Sequence, residues 1–294
     1  MTMVIRTVTV VGAGTLGSRV ALQSALSGYQ AKIYDLAPSA LETSKATMQK
    51  LLKQLRKQGS LIPAKEKGLS DRLLFTDKLG EAVEDADLIN ESVTENLEIK
   101  LQVWKQIDNL APEKTIFTTN TSFLLPSKIA SATNRPQRFC ALHFHDVFFA
   151  RLLDIMPHSK TDLALIPILE KFGRSLNQVP VVIQKEYPGY LFNTMLMSFI
   201  HAAGKLLTRG VGSIEDIDRS WMVNFHMAIG PFGILDQIGL DTAWHVTHNN
   251  PDKYTQAFAD LLADYINQGK LGEKVGEGFY SYPNPTYRDP DFLK

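Results

Sequence analysis

The sequence predicts an α/β protein in two parts: a doubly wound sheet carrying a helical hairpin insertion, followed by an all-α C-terminal domain. Three observations carry this. Over the first two-thirds of the chain, short β-branched runs alternate with longer amphipathic stretches, the pattern of βαβ units that build a parallel sheet. After "VPVVIQ" the strands stop and helical stretches follow. Between the two, "EYPG" is a natural linker, because Pro188 biases its predecessor away from helix and Gly189 permits a sharp turn. The expected domains are therefore 1–187 and 188–294.

Taken in order, "TVTVVG" reads as a strand, "TLGSRVALQSAL" as a helix and "AKIYD" as a second strand. A long polar helix from about Ser39 to Lys57 follows. "AKEKGLSDRLLFTD", after Pro63, reads as a second short helix returning to the sheet, which makes Ser39 to Ser70 a hairpin inserted after strand two. "ADLINES" and "TIFTTN" are strands on either side of the helix "LEIKLQVWKQIDNL". In the second domain, "GYLFNTMLMSFIHAAGKLLTRG", "SIEDIDRSWMVNF", "GPFGILDQIGLDTAWHVTH" and "KYTQAFADLLADYINQGK" are helical, and the ending "GEKVGEGFYSYPNPTYRDPDFLK" reads as coil punctuated by Gly and Pro.

Composition narrows the function. A chain of 294 residues with 44% apolar and 21% charged residues supports two domains with substantial cores rather than disorder. The formal net charge is zero and no long Lys/Arg run occurs, so the electrostatic footprint of a nucleic-acid binder is missing. No apolar run approaches the roughly 18–20 residues that span a bilayer, and "VTVVGAG" leads into a glycine turn rather than a cleavage site, so the expectation is a cytoplasmic protein without a membrane partner. Cys140 is the only cysteine. It can build neither an internal disulfide nor a thiolate metal site, and between Phe139 and Ala141 it reads as a buried core thiol.

"VTVVGAGTLGSRVALQSAL" sets Gly12, Gly14 and Gly17 in a G-x-G-x-x-G pattern, with Ala13, Thr15 and Leu16 between them, directly after a strand and at the start of a helix. Gly12 allows the tight turn, Gly14 lets backbone approach a pyrophosphate, and Gly17 allows close helix packing, while the helix N-terminus offers free N–H groups. This is the dinucleotide-binding turn of a Rossmann-type sheet. Asp35, about 20 residues on at the end of the second strand, can accept hydrogen bonds from both ribose hydroxyls and would repel a 2′-phosphate, so NAD is expected over NADP. The pattern does not by itself separate NAD from FAD.

Further on stand "TTNTSFLLPSKIASATNRPQRFCALHFHDVFFARLLDIMPH", "EYPGYLFNTMLMSFIHAAGKLL" and "AIGPFGILDQIGLD". In order and spacing, from Val8 to about Tyr282, these resemble the L-3-hydroxyacyl-CoA dehydrogenase family, with its N-T-S, R-P-x-R-F, H-F, P-G-[FY]-x-x-N and G-P-F-x-x-x-D-x-x-G-L-D motifs. The resemblance implies NAD-dependent oxidation of a secondary alcohol, in which hydride leaves the carbinol carbon while a base takes the hydroxyl proton. Imidazole suits both directions of that step near neutrality. It implies that His143 is the base, that Ser122 and Asn193 hydrogen-bond the substrate oxygen, and that Asn120 places the nicotinamide. Singly, each residue has an ordinary reading: Ser122 as a helix cap, Asn193 as a polar residue early in a helix, His143 as a satisfied core histidine. In combination, downstream of the glycine fingerprint, they point to catalysis.

The family histidine is followed by "FFNP" and, twelve positions after it, by a glutamate that holds its other nitrogen. Here "HFHDVFFARLLD" is one residue shorter and ends in Asp154, the expected orienter; Asp146, in place of the family asparagine, competes for the role. His143, His145 and Asp146 raise the possibility of a metal, but a third ligand is not evident and no metal is expected. Glu95 and Lys100 in "SVTENLEIK" match a family pair beside the nicotinamide, or else form a capped helix start with a solvated charge pair. Lys45, Lys50, Lys53, Arg56 and Lys57 lie where the family's helical arm meets a coenzyme A tail, or form a solvated face.

The expected activity is thus interconversion of a 3-hydroxyacyl-CoA and a 3-ketoacyl-CoA with NAD. CoA-independent relatives acting on 3-hydroxy acids, diketo esters, gulonate or carnitine are the alternative, and a crystallin-like NAD-binding structural protein is the non-enzyme alternative. The apolar helices between Pro188 and Gly269 exceed the needs of a small lone bundle, so a homodimer is expected.

Overall fold

The computed structural model describes residues 4–248 and 252–294. The chain forms two compact units that divide after Leu191, just past the Pro188–Gly189 turn. In the first, β1 (Thr7–Val11), α1 (Thr15–Leu26) and β2 (Gln30–Tyr34) are followed by α2 (Pro38–Lys57), the short α3 (Pro63–Glu66) and α4 (Leu69–Arg72), and β3 (Leu73–Thr76). Then come α5 (Leu79–Val83), β4 (Leu88–Glu91), α6 (Leu97–Leu110), β5 (Ile116–Thr119), α7 (Pro126–Ala130), β6 (Phe139–Asp146), β7 (Ala150–Pro157), α8 (Leu165–Ser175) and β8 (Val179–Val182).

The eight strands form one sheet in the order β3-β2-β1-β4-β5-β6-β7-β8. Strands β4 and β5 are buried along their whole length, as expected of strands covered by helices on both faces. The direction of winding reverses between β1 and β4, and the crevice beyond their C-terminal ends is where such sheets bind ligands. The main core under the first face joins Val8, Val10, Val20, Leu22, Ile33 and Leu142. A second core on the other face gathers Trp104, Ile107, Phe117 and Phe139. Cys140 is buried, and burial pushes its thiol well up from its ordinary value.

Two expectations about this unit need correction. "LLFT" is the strand β3, parallel to β2, rather than the end of a helix. Its four residues at the sheet edge are too few to show a period of two, and Gly68, at φ 70°, breaks the returning arm into the single turns α3 and α4. The sheet is also not wholly parallel. Residues 147–149 alone connect β6 to β7, and so short a link forces an antiparallel pair, with a register shift between Phe144 and Asp146.

The second unit holds α9 (Phe192–Thr208), α10 (Ile214–Phe225), α11 (Pro231–Ile238), α12 (Leu240–Thr247) and α13 (Lys253–Asn267) around Ile200, Phe232, Leu235, Phe258 and Leu262. The terminal stretch is not free coil. Tyr280, Tyr287 and Phe292 are buried in this core. Asp236 accepts from the backbone of Phe279 and Tyr280 and from the Tyr282 hydroxyl, while Asp218 accepts from the backbone of Phe232 and Gly233 and from the Tyr280 hydroxyl. No helix of the described residues is long and apolar enough to cross a membrane.

Candidate active site

A cleft of about 740 Å³ opens where β1, α1, β2 and the segment after β4 converge, lined among others by Gly12, Gly14, Thr15, Asp35, Ser92 and Thr94. Gly12 has φ 111°, and a Cβ there would come within 2.6 Å of the Ser92 carbonyl oxygen. A Cβ on Gly17 would lie 2.1 Å from the Gly12 carbonyl oxygen, so only glycine lets α1 pack this closely on the turn. Gly14 is the N-cap of α1 and no side chain caps the helix, which leaves its N-terminus turned to the cleft. Leu16 packs instead against the sheet core. Asp35 accepts from the Ala13 N–H at 2.8 Å and the Ala37 N–H at 3.0 Å. Its remaining lone pairs can accept ribose hydroxyls, and no cation follows it in "LAPS" to receive a 2′-phosphate.

The strand-end residues form a second, connected site. His143 on β6 faces Asp154 on β7 in direct register. Its Nδ1 lies 3.1 Å from Asp154 Oδ2, and its Nε2 lies 3.2 Å from the Ser122 hydroxyl. Both His143 and Asp154 are buried. With the Nδ1 proton given to Asp154, the free lone pair of Nε2 points at Ser122. Burial pushes the His143 imidazole below its ordinary value, a shift that the Asp154 hydrogen bond opposes and the neighbouring His145 reinforces. Burial would raise the Asp154 carboxyl, but hydrogen bonds from His143 and His145 outweigh it and hold the group low.

Asp146 does not reach His143. It pairs with Arg19 of α1 and accepts from the backbone of Phe148 and Phe149, which fixes the short β6–β7 turn. The third donor beside the two histidines is Asp154, and the nearest ligand atoms of His143, His145 and Asp154 lie within 4.8 Å of one another. Tyr190, buried and at φ 53°, stacks on the His143 ring with centroids 4.7 Å apart and donates to the Thr121 carbonyl at 2.7 Å.

Asn120 accepts from the Phe144 N–H at 2.8 Å and donates to the Ser92 hydroxyl at 3.1 Å, joining the nucleotide cleft to the histidine strand. Glu95 holds the loop that presents Ser122: one of its oxygens accepts from the Thr121 hydroxyl and from the backbone of Ser122, Phe123 and Leu124. Burial raises the Glu95 carboxyl, yet these donors and Lys100 bring it below its ordinary value. Lys100 is not a solvated partner of Glu95. It is buried, 2.6 Å from Glu91 and 3.5 Å from Glu95. Glu91, fully enclosed on β4, also accepts from the Thr119 hydroxyl, Trp104 Nε1 and the Val93 N–H. Sequence reasoning missed Glu91 and Tyr190; a carboxylate inside the apolar run "ADLINES" was the available signal for the first. Asn193 is the second residue of α9, in the other unit.

The family described as 3-hydroxyacyl-CoA dehydrogenase, NAD binding domain, matches residues 7–187, and its C-terminal domain matches residues 189–282. The chain belongs to the 3-hydroxyacyl-CoA dehydrogenase family. It is 32% identical over 292 residues to a probable 3-hydroxybutyryl-CoA dehydrogenase of Bacillus subtilis, covering 97% of this chain and 100% of that protein. A solved diketoreductase, described as catalysing reactions of dicarbonyl compounds, superposes with a TM-score of 0.90 at 37% identity, covering 95% of this chain and 99% of the other. A 5-formyl-3-hydroxy-2-methylpyridine 4-carboxylate 5-dehydrogenase of Mesorhizobium japonicum is 31% identical over 284 residues, with 95% and 91% of the two chains covered. As a member of this family the protein is an NAD-dependent oxidoreductase, and the glycine turn and Asp35 fit that cofactor.

Proposed function

We propose that this dehydrogenase interconverts a 3-hydroxyacyl-CoA and a 3-ketoacyl-CoA, with His143 as general acid and base. The observation that carries the reading is the hydrogen-bonded chain Ser122–His143–Asp154, its histidine and acid buried, set on the sheet that also bears the nucleotide cleft. NAD supplies the hydride acceptor or donor. In the oxidation direction His143 Nε2 takes the substrate hydroxyl proton, and the Nδ1–H bond to Asp154 stabilises the imidazolium that forms. Ser122, held by the Glu95 cage, donates to the substrate oxygen. Asn193 enters as a second donor on the sequence resemblance alone.

A second reading, turnover of free diketo compounds, is favoured by two observations. The superposition on the diketoreductase is close. Two of the five hairpin cations are already engaged, Lys45 with Glu42 and Arg56 with Glu66, which weakens the case for a CoA phosphate site there. A homodimer through the second unit is part of the proposal, supported by the exposed Met195, Val223, Phe225 and Met227. So is a cytoplasmic location, supported by the lone buried Cys140.

The test is NADH consumption with acetoacetyl-CoA, acetoacetate and a 3,5-diketo ester at matched concentrations. Preference for the thioester supports the first reading. Turnover of the ester alone moves the enzyme among the CoA-independent relatives, and no turnover of any of the three removes the proposal.

A further inference from the structure

His145 donates to the same carboxylate oxygen as the proposed base. Its Nε2 lies 2.7 Å from Asp154 Oδ2, closer than the 3.1 Å of His143 Nδ1, while Asp154 Oδ1 is buried and has no hydrogen-bond partner among the described residues. A buried carboxylate that leaves one oxygen unsatisfied and crowds two donors on the other is not at its own optimum. It is being held for the benefit of a neighbour. The acid here is one methylene shorter than the glutamate of the resembled pattern, and the β6–β7 connection is one residue shorter. Position 145, a phenylalanine in that pattern, is the histidine that reaches Asp154.

We infer that His145 is a positioning residue: it fixes the rotamer of Asp154 and so lets a short acid orient His143. The inference deepens the proposed function and rests on His143 being the base. The register shift between Phe144 and Asp146 lies at this residue and accounts for its reach. Two rings hold the His143 imidazole in place, that of His145 edge-on at 4.5 Å and that of Tyr190 stacked at 4.7 Å. With Nδ1 held by Asp154, the nitrogen left to the substrate side is Nε2, beside Ser122.

The experiment compares His145→Phe, His145→Gln, the double variant His145→Phe with Asp154→Glu, and His143→Gln, following kcat, KM and the pH profile with NADH and whichever substrate turns over. Loss of the His145 donor frees Asp154 to rotate, so His145→Phe is expected to lower kcat by about tenfold or more while KM for NADH stays unchanged. It also leaves the whole carboxylate charge to His143, so the imidazole limb moves to higher pH by about half a unit or more. His145→Gln keeps an amide N–H for Asp154 and stays within about threefold of the parent. The double variant regains most of the lost rate, because glutamate supplies the missing methylene; a merely structural role for His145 would not be rescued this way.

The ionisable groups around the trio, namely Glu95 after β4, Glu91 on β4, Cys140 on β6, Tyr190 after β8 and the Asp146–Arg19 pair, are untouched in the three His145 variants. Parent-like kcat and pH limb in His145→Phe, with His143→Gln inactive, would overturn the inference alone. Parent-like activity in His143→Gln would overturn the reading beneath it. Activity lost on exhaustive dialysis against EDTA and restored by Zn²⁺ would also overturn the inference, by making the trio a metal site.

Discussion

Replacing Lys100 by methionine should unfold the first unit far more readily while leaving its surface unchanged. Lys100 is almost fully buried, its Nζ 2.6 Å from Glu91 and 3.2 Å from the Val93 carbonyl. Methionine fills similar volume but strands Glu91, itself fully enclosed, with only the Thr119 hydroxyl, the Trp104 indole and the Val93 N–H to balance its charge. Removing one partner of a buried pair costs about 3–5 kcal/mol. That is a large part of the 5–15 kcal/mol that ordinarily separates folded from unfolded states. At roughly 2–4 °C per kcal/mol for a unit of this size, the midpoint should fall by about 6–20 °C. Because Trp104 touches the same carboxylate, its fluorescence is a local reporter once Trp221 and Trp244 of the other unit are replaced by phenylalanine. Adding Glu91→Gln to Lys100→Met should restore most of the loss, since it removes the stranded charge. A Lys100→Met protein within about 1 kcal/mol of its parent would refute the assignment of Lys100 to Glu91 as a structural pair.

In the oxidation direction, kcat/KM should rise through a limb below pH 6.5 and then level, because burial lowers the His143 imidazole and only its neutral form accepts the proton; the reduction should show the opposite slope, and a limb above 6.5 in the pH profile would contradict the burial argument. Gly17→Ala should cost at least about 2 kcal/mol or abolish NADH binding in a titration, because its new Cβ meets the Gly12 carbonyl at 2.1 Å and backbone cannot step aside. Asp35→Ala should raise KM for NADH by about 10–100-fold, the worth of hydrogen bonds to a charged acceptor, while NADPH loses far less. In the second unit, burial raises the Asp218 carboxyl to about 6 against its three donors, so its protonated form favours the fold: the contribution of this one group is fully present below about pH 3.8 and about 3 kcal/mol of it is lost as pH rises from there through 6. Urea titrations of Asp218→Asn should show that share of the slope between pH 3.8 and 6 removed, with the share of the neighbouring Asp236, which burial also raises, retained.

Most of the sheet and the glycine turn are legible in the sequence, because βαβ alternation and the glycine spacing are local patterns. That Ser122, His143 and Asp154 meet is legible for a different reason: separated motifs in one order point to a common place even when each alone is ambiguous. What escaped was decided by tertiary neighbours. Strand β3 is an edge strand of four residues with no period to read. The partner of Lys100 is on a strand nine residues earlier, and only the parallel pairing of β4 with β5 and the packing of α6 bring Glu91, Thr119 and Trp104 around it. The turn of Asp146 toward Arg19 depends on α1 packing beside β6, which no spacing within "HFHDVFF" encodes.

The stitched ending of the second unit bears on the order in which the protein comes off the ribosome. The first unit has every strand once Val182 has been made, with more than a third of the chain still to come. The second cannot close its core at that pace. Asp236 has none of its Phe279, Tyr280 and Tyr282 donors, and Asp218 lacks the Tyr280 hydroxyl, until that stretch has been made, and the apolar seat of Phe292 stays open longer still. Nascent chains halted well after Val182 but before residue 279 should therefore carry a protease-resistant first unit tethered to a second that is still cut, and residues 279–292 act as the latch that ends its exposure.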